Sequence, residues 1–391
     1  MNKPNFNSWP SYSKEEIEAV SNTLLSNKVN YWTGNECHKF EQEFSLWSKA
    51  QYSVAVANGS VALELSLKAI EIKPKDEVIV TSRTFIASVS SIVNVGAIPI
   101  FADVDLDSQN INLETIQSLI SNKTKAIVCV HLAGWPCEMD QILHLANKLG
   151  IYVIEDCSQA HGAKYKGKPV GSIGDIGCWS FCQDKIISTG GEGGMVTTNN
   201  ENLWLKIWSF KDHGKSYEVM HTNAKMGSFK WVHESFGTNH RMTEMQASIG
   251  RIQLKKINKW HKKRLDNATM LWSCAKKSKG LRVPNLPNHI EHAAYKCYVF
   301  VLANELKSNW NRERIIKEIN LLGVPCFSGA CPEVYLEKAF DNTGFRPKKR
   351  LENAKNLGET SLMFLVHPTL TQEDMKFQCK VITKVMSEAS R

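Results

Sequence analysis

The sequence has no long apolar run, no internal repeat and no low-complexity segment. No stretch approaches the roughly 20 consecutive apolar residues that a membrane-spanning helix needs. The N-terminus, Met1 to Asn5, lacks the apolar core of a signal peptide. Repeats with periods of about 20 to 50 residues are absent as well. These absences argue against membrane, secreted and repeat proteins, and we expect a cytoplasmic location.

The cysteines are not spaced as metal ligands. Eleven are present, but pairs such as Cys178/Cys182 and Cys326/Cys331 lack the C-x2-C rhythm of zinc sites. In a cytoplasmic chain they are expected to be small, mostly buried apolar residues. We therefore predict no metal site.

The positive charge is not concentrated in one place. The formal net charge is +9, yet only short runs such as Lys255-Lys256 and Lys262-Lys263-Arg264 occur, and a solvated helix face explains them. A nucleic-acid-binding protein would place its cations on one face. A diffuse positive field still favours a small anionic substrate. The charge therefore permits an anionic ligand without identifying it.

The pattern of apolar residues predicts an α/β fold with a mostly parallel sheet. A chain of 391 residues is too long for one ordinary core. From about residue 52, short β-branched runs alternate with helical stretches, which is typical of strand-helix-strand units. The predicted strands are 53–57, 77–81, 98–101, 126–131, 151–155, 177–181 and 194–198, and the helices between them are 61–70, 85–95 and 139–149.

The character of the sequence changes near Met245, where a long amphipathic helix is predicted over 245–271. A proline-containing stretch and a strand at 298–302 follow, and then helices alternate with shorter strands. We therefore predict a large domain over 15–250 and a smaller α+β domain over 251–391. The segment 1–14 is expected to pack on the smaller domain.

Two motifs follow predicted strand ends, where α/β proteins bind ligands. Asn58-Gly59-Ser60 enters a helix, and its N–H groups and the helix dipole could hold a phosphate, although such a turn can also be only an N-cap. Glu155-Asp156 ends another strand. Two acids there suit a solvated turn or a metal site, or one Asp could pair with a protonated pyridine nitrogen.

Two further motifs concern Lys185 and Phe85. Lys185 lies between a buried strand and the glycine-rich turn 188–194, where a partly desolvated lysine can act as nucleophile and base. Ser180 lies just upstream and could contact the same phosphate. Phe85 follows a strand and precedes Phe101 to Asp105 at the next one. Its ring could cover a cofactor or belong to ordinary core.

In combination and order, these motifs resemble the DegT/DnrJ/EryC1/StrS sugar aminotransferases. The resemblance extends from Tyr31-Trp32-Thr33-Gly34 to His367-Pro368 and so covers nearly the whole chain. The matching motifs are Asn58-Gly59-Ser60, Thr84-Phe85, Glu155 to Gly162, Ser180-Phe181 with Lys185, Gly191 to Gly194, His213-Gly214 and Gly237 to Met242. The resemblance implies a fold like that of aspartate aminotransferase (fold type I) and the cofactor pyridoxal 5'-phosphate (PLP).

Carried over residue by residue, the resemblance implies contacts to the cofactor ring. Lys185 would bind the cofactor covalently, and Asp156 would pair with its pyridine nitrogen. Gln159 would contact the 3-oxygen, and Phe85 would stack on the ring, where many relatives have Trp or Tyr. The segment Cys182-Gln183-Asp184 is less typical of the family.

The resemblance also implies a phosphate site and a dimer. Gly59, Ser60 and Ser180 would hold the cofactor phosphate. Asn239 would reach the phosphate from the other subunit, so that each active site of a homodimer is completed across the interface.

The implied reaction is transfer of an amino group from glutamate, leaving 2-oxoglutarate, to a nucleotide-linked keto-sugar. The segment Gly329 to Tyr335 looks most like members that make 4-amino-4,6-dideoxy sugars of O-antigens. The favoured substrate is therefore dTDP-4-keto-6-deoxyglucose, giving dTDP-viosamine, while UDP- or GDP-linked sugars and a C3 ketone stay open. Lys215 and Arg241 are candidate pyrophosphate contacts, since cations suit that dianion, but either could be a plain surface charge.

Three rival functions are weaker. A sugar 3-dehydratase of the same fold would carry His in place of Lys185. A non-catalytic regulator would be expected to lose the lysine, Asp156 or the phosphate turn, and all three are present. A nucleic-acid-binding protein would bind with strong salt dependence, which a mobility-shift measurement would detect.

Overall fold

The computed structural model describes residues 6–222 and 230–391. Residues Met1 to Asn5, whose sequence lacks the apolar core of a signal peptide, lie outside the described residues. Within these two ranges, every helix is too short or too polar to cross a lipid bilayer.

Helices and strands alternate along the first half of the chain. The helices are α1 (Lys14–Leu25), α2 (Glu36–Ser48), α3 (Gly59–Ala69), α4 (Ala87–Asn94), α5 (Leu113–Ile116), α6 (Met139–Leu149), α7 (Glu201–Lys211), α8 (Tyr217–His221), α9 (Glu244–Lys276), α10 (Arg312–Leu321), α11 (Glu352–Thr360) and α12 (Gln372–Ala389). The strands are β1 (Tyr52–Val56), β2 (Glu77–Thr81), β3 (Ile98–Ala102), β4 (Thr124–Val130), β5 (Tyr152–Asp156), β6 (Lys164–Tyr165), β7 (Lys168–Pro169), β8 (Ile176–Ser180), β9 (Gly194–Thr198), β10 (Leu281–Arg282), β11 (Ile290–Glu291), β12 (Cys297–Val301), β13 (Cys326–Phe327) and β14 (Ser361–Phe364).

A seven-stranded sheet in the order β1-β9-β8-β5-β4-β2-β3 forms the centre of the molecule. Strand β9 is antiparallel to β1 and β8, and the remaining neighbours pair in parallel. Helices cover both faces, so the strands are near-continuous apolar runs rather than alternating ones. The predicted α/β fold with a mostly parallel sheet is confirmed.

A second, antiparallel sheet in the order β10-β12-β14-β13 lies in the C-terminal part of the chain. Its apolar face packs with α10, α12 and the end of α9 in a cluster that includes Leu271, Val299 and Phe364. Phe6 also packs against this cluster, and its ring centroid lies 6.4 Å from that of Phe377.

Helix α9 begins at a capping box of Thr243 and Gln246 and runs for 33 residues to Lys276. Its first turns contribute Ala247 and Ile257 to a cluster under the large sheet, and its last turns contribute Leu271 to the C-terminal cluster. The helix therefore passes without a break through the predicted boundary at 250/251. The division into 15–250 and 251–391 stays a prediction.

One charged residue of α9 departs from its sequence-based interpretation. The run Lys262-Lys263-Arg264 was expected to form a solvated face, but Arg264 is only 1% exposed. Lys262 points to solvent, whereas position 264 falls on the inner side of the helix. For Arg264 the prediction of a solvated cation is wrong.

Candidate active site

The predicted site residues gather at one edge of the large sheet. Strands β1, β2, β5 and β8 share one direction, so their carboxyl ends meet at the same edge. Asn58 to Ser60 follow β1, Asp156 ends β5, and Ser180 ends β8, with Lys185 five residues beyond. Phe85 follows β2. The edge thus carries every predicted cofactor contact except Gln159 and Asn239, which lie on adjoining loops.

The turn at Gly59 is built for a close approach to Ser180. The Asn58 side chain caps α3 by accepting a hydrogen bond from Val61 N at 2.9 Å. A Cβ atom on Gly59 would lie 2.6 Å from the Cβ of Ser180, so only glycine fits. The exposed Ser60 is the next residue of α3, and Ser180 is 8% exposed. The N-terminus of this eleven-residue helix, with Ser60 in its first turn, therefore lies beside Ser180, which is an arrangement that suits a phosphate.

Asp156 is held in place by its neighbours. Its Oδ2 accepts a hydrogen bond from Ser88 Oγ at 2.8 Å, and its Oδ1 accepts one from Ser158 N at 3.1 Å. Thr84 Oγ1 lies 2.9 Å from Ser88 Oγ and continues the chain of hydroxyls. The carboxylate is 5% exposed, so it is oriented before any ligand arrives.

Glu155, the neighbouring acid, faces the other side of β5 and is part of the internal structure. Its two oxygens accept hydrogen bonds from His131 Nε2 at 3.0 Å and from the backbone N–H groups of Gly171, Ile173 and Gly174 at 2.7 to 2.9 Å. Burial alone would raise the pKa of Glu155, but these donors hold it below its usual value. Because successive strand residues point to opposite faces, only Asp156 reaches the ligand edge.

Glu155 also belongs to a group that could hold a metal ion, because ligand atoms of His131, Glu155 and Cys157 lie within 4.8 Å of one another. Hydrogen bonds account for the His131 and Glu155 atoms of this group without an ion. His131 Nδ1 accepts from Cys137 N at 3.0 Å, which leaves Nε2 as the protonated nitrogen that donates to Glu155. The absence of a metal stays a prediction.

Replacing Glu155 by glutamine should destabilise the fold by about 3 kcal/mol, because an amide NH2 would then face N–H donors in a buried place. A carboxylate whose folded pKa is depressed stabilises the protein above its unfolded pKa, which is near 4.5. That contribution is lost as the pH falls through the lower folded pKa. Urea unfolding should therefore show a large difference between wild type and Glu155→Gln at pH 7 that shrinks below about pH 4.5. The exposed Glu388→Gln is the control, and equal stability of Glu155→Gln and wild type at pH 7 would contradict this role.

Gln159 and Phe85 are the two other residues predicted to contact a cofactor ring. Gln159 Oε1 accepts a hydrogen bond from Ala133 N at 2.8 Å, so its amide N–H2 is the group that can donate to a ring oxygen. Phe85 lies in the turn before α4, not within the helix as predicted from sequence, and is 67% exposed. An exposed aromatic ring at the carboxyl edge of a buried sheet offers a flat surface for stacking.

Lys185 lies on the loop after β8. Its Nζ is 3.5 Å from Asp184 Oδ1 and 5.2 Å from the centre of the Tyr295 ring, and its side chain is 18% exposed. Tyr295 Oη donates a hydrogen bond to the other oxygen of Asp184. The loop is fixed from behind, because Trp9 Nε1 donates to the Lys185 carbonyl oxygen at 2.7 Å. Sequence reasoning missed Tyr295 and Trp9, since both are distant in the chain.

The two predicted substrate contacts share one partner. Lys215 Nζ lies 3.0 Å and Arg241 Nη1 2.6 Å from Oδ1 of the buried Asp212. The Lys215 amine also lies 4.3 Å from the centre of the Trp32 ring. Two cations around one carboxylate leave a net positive charge. Their contact with a pyrophosphate stays a prediction.

Asn239 has an exposed side chain and lies near the end of β1 of its own chain. Its backbone bridges to Asp212, and the following residues pair with β1, where Ala57 N donates to His240 O at 2.8 Å. Asn239 therefore directly precedes a residue, His240, whose backbone is hydrogen-bonded next to the Asn58 turn. Its contribution to a second subunit stays a prediction.

The described residues fit PLP on three structural grounds. At Gly59 a Cβ would collide with Ser180, so a side chain is excluded from this helix N-terminus; Phe85 exposes its ring, and Asp156 presents a fixed carboxylate. When bound, PLP supplies a protonated ring that withdraws electrons from a neighbouring carbon. As predicted from the sequence, Asp156 would keep that ring protonated and the Lys185 amine would move protons.

Comparison with known proteins shows the family of this chain. The DegT/DnrJ/EryC1/StrS aminotransferase family matches residues 10–385. GDP-perosamine synthase from Escherichia coli O157:H7 is 44% identical over 64% of this chain and 65% of its own length. The dTDP-3-amino-3,6-dideoxy-α-D-galactopyranose transaminase of Aneurinibacillus thermoaerophilus is 38% identical over 66% and 67%.

Solved structures show the same architecture over the whole chain. An aminotransferase from Psychrobacter cryohalolentis superposes with a TM-score of 0.96 at 57% identity, covering 98% of this chain and 99% of the other. The PLP form of the sugar aminotransferase Spr1654 from Streptococcus pneumoniae, itself described as putative, superposes with a TM-score of 0.86 at 25% identity, covering 99% of each. The chain therefore belongs to the DegT/DnrJ/EryC1/StrS aminotransferase family and is a PLP-dependent transaminase.

Proposed function

We propose that this transaminase moves the amino group of glutamate to dTDP-4-keto-6-deoxyglucose and so makes dTDP-viosamine for O-antigen biosynthesis. The observation that supports a transaminase site here is the meeting of Lys185, Asp156 and the Gly59–Ser180 turn at one edge of the sheet. We assign Lys185 as the cofactor lysine and Asp156 as the partner of the ring nitrogen.

The proposed roles follow from the position of each side chain. Ser60 and Ser180 would bind the phosphate and fix the ring over Asp156, while Phe85 would cover one face. The amine of Lys185, displaced when the donor binds, would take a proton from the carbon that bears the amino group. It would then return a proton to the sugar carbon, acting first as general base and then as general acid.

The charge near Lys215 and Arg241 supports an anionic substrate. A nucleotide-linked sugar carries a pyrophosphate, and guanidinium and ammonium groups bind such oxygens through charge-assisted hydrogen bonds. The names of the two relatives given above include one GDP-linked and one dTDP-linked sugar. The nucleotide that carries the sugar is therefore proposed separately from the reaction. UDP- or GDP-linked keto-sugars, aminated at C4 or C3, are the alternatives.

The test is to incubate the PLP-loaded protein with ¹⁵N-glutamate and, separately, dTDP-, UDP- and GDP-linked 4-keto-6-deoxy sugars and a 3-keto sugar. Mass spectrometry detects the label, and NMR identifies the carbon that carries it. We expect the highest kcat/KM for the dTDP-linked 4-keto sugar. A higher value for another carrier or ring position would overturn this substrate. Labelling of free keto acids alone would overturn the whole class.

We also propose that the protein works as a homodimer to which Asn239 contributes across the interface. The exposed position of Asn239 supports this assignment. Sedimentation of the PLP-loaded protein as a monomer at catalytic concentrations, with full activity, would contradict it.

A further inference from the structure

A cavity of about 310 Å³ adjoins the Lys185 loop, and neither Asp156 nor the phosphate turn belongs to its lining. It is bordered by the N-terminal segment, α9 and the C-terminal part of the chain. The residues on which the argument rests are Trp9, Asp184, Arg264, Tyr295, Lys296 and Gln378. The transaminase roles proposed above use none of the polar groups of Arg264, Lys296 or Gln378.

Arg264 lines this cavity with a charge that has no counter-ion in contact among residues 6–222 and 230–391. Its side chain is 1% exposed, and its only hydrogen bond among the described residues runs from Nη1 to Tyr295 O at 3.3 Å. Nε and Nη2 are buried and have no partner within the part of the chain that the structure describes. A buried cation without a partner costs several kcal/mol, on the order of the penalty for breaking a buried ion pair.

The two unpartnered nitrogens form one edge of the guanidinium group. Nε and Nη2 point the same way, and this pair is the fork that binds a carboxylate or a phosphate through two parallel hydrogen bonds. Cζ of Arg264 lies over the Trp9 ring, 4.9 Å from the ring centre. This contact occupies neither Nε nor Nη2, so both nitrogens stay available to a ligand.

A second cation stands at the cavity wall. The Lys296 amine lies 4.6 Å from the centre of the Tyr295 ring, and its closest carboxylate oxygen, on Asp184, is 3.9 Å away. Burial lowers the pKa of Lys296 to about 8. Asp184 is also engaged by Lys185 and Tyr295, so it cannot neutralise both cavity cations.

Gln378 adds a polar group to the same space. Its Oε1 is buried and has no hydrogen-bond partner among the described residues, while its Nε2 contacts the Met375 sulfur at 3.6 Å. Rotation of the amide by 180° exchanges the oxygen and the NH2 group, so that Gln378 can present a donor at the position of the unpartnered oxygen. An oxyanion in this cavity would thus meet two cationic side chains, Arg264 and Lys296, and the Gln378 amide.

We propose that this cavity is a binding site for a small oxyanion, a carboxylate or a phosphate, anchored on the Nε–Nη2 edge of Arg264 and assisted by Lys296. The site is separate from the cofactor phosphate turn and does not depend on the proposed sugar reaction. Trp9 links it to the catalytic loop, because the same indole contacts Arg264 and donates to the Lys185 carbonyl.

The test is calorimetric titration of the PLP-loaded protein with inorganic phosphate and, in a second series, with succinate, at constant ionic strength. We expect saturable binding that Arg264→Met weakens at least tenfold, since a charge-assisted pair contributes about 1.5 to 3 kcal/mol. Stronger binding of phosphate than of succinate would assign a phosphate ligand, and the reverse would assign a carboxylate.

Two control variants separate this site from others. Arg314→Met removes a guanidinium that lies 4.2 Å from the centre of the Trp310 ring and should leave the affinity unchanged. Ser180→Ala alters the cofactor phosphate site and should leave this binding unchanged as well. Loss of phosphate binding in Ser180→Ala but not in Arg264→Met would overturn the proposal.

Two further measurements test the proposal even if the Arg264→Met variant does not fold. Lys296→Met should weaken binding several-fold. Crystals grown without sulfate or phosphate and soaked in millimolar selenate should show an anomalous peak beside Arg264. Ordered water alone at that position under saturating selenate would refute the site.

Discussion

Replacing Lys185 by alanine should reduce transamination below detection. The side chain would lose both its covalent bond to the cofactor and its role in moving the proton, and general acid–base catalysis alone contributes about 10² to 10⁴ in rate. Turnover of glutamate to 2-oxoglutarate is the measurement for the first half-reaction. Label transfer to the sugar measures the second.

Its matched control is Lys166→Ala, which removes an exposed lysine paired with Asp140 and should leave turnover unchanged. Two spectra distinguish loss of the cofactor bond from loss of the fold. The visible absorbance band of lysine-bound PLP should vanish in Lys185→Ala, while the far-UV circular dichroism spectrum should stay as in the wild type. Retained turnover together with that visible band would show that Lys185 is not the cofactor lysine.

The second large effect is expected for Asp156→Asn, which should lower kcat at least about a hundredfold. A neighbouring carboxylate raises the pKa of a cationic group by about 1 to 3 units, and an amide does not. Ser158 N–H can still donate to the asparagine oxygen, and Ser88 Oγ can turn its own proton to Thr84 and accept from the asparagine NH2 group, so the side chain stays in place while its charge is lost.

This variant is expected to bind PLP, because the phosphate turn and Lys185 are intact. The loss should therefore fall on kcat with little change in the KM for glutamate. Asp140→Asn, at an exposed position, is the control. A kcat within threefold of wild type in Asp156→Asn would show that the ring nitrogen has another partner.

The sequence was a good guide to the strands and to the place of the site. Strands covered on both faces appear as apolar runs, so 77–81 and 194–198 coincide with β2 and β9. Because ligands bind at carboxyl ends of parallel strands, the positions of Asp156 and Lys185 followed from the strand ends.

The roles of several residues depend on contacts between distant parts of the chain, and these could not be predicted from the sequence. Glu155 and Asp156 are adjacent acids, and only the loop 171–174 and His131 show which one is internal. Ser88 carries no sequence signal for its bond to Asp156. Arg264 sits in a lysine-rich run that is typical of a wet surface, yet the N-terminal segment folds over it.

Helix α9 joins the two hydrophobic clusters as a single rod about 50 Å long, at 1.5 Å per residue. A fragment ending at residue 250 would leave most of this helix behind and expose the apolar residues that Ile257 and its neighbours now cover. The two hydrophobic clusters accordingly share one continuous helix, so we expect the unfolding of one cluster to remove packing from the other.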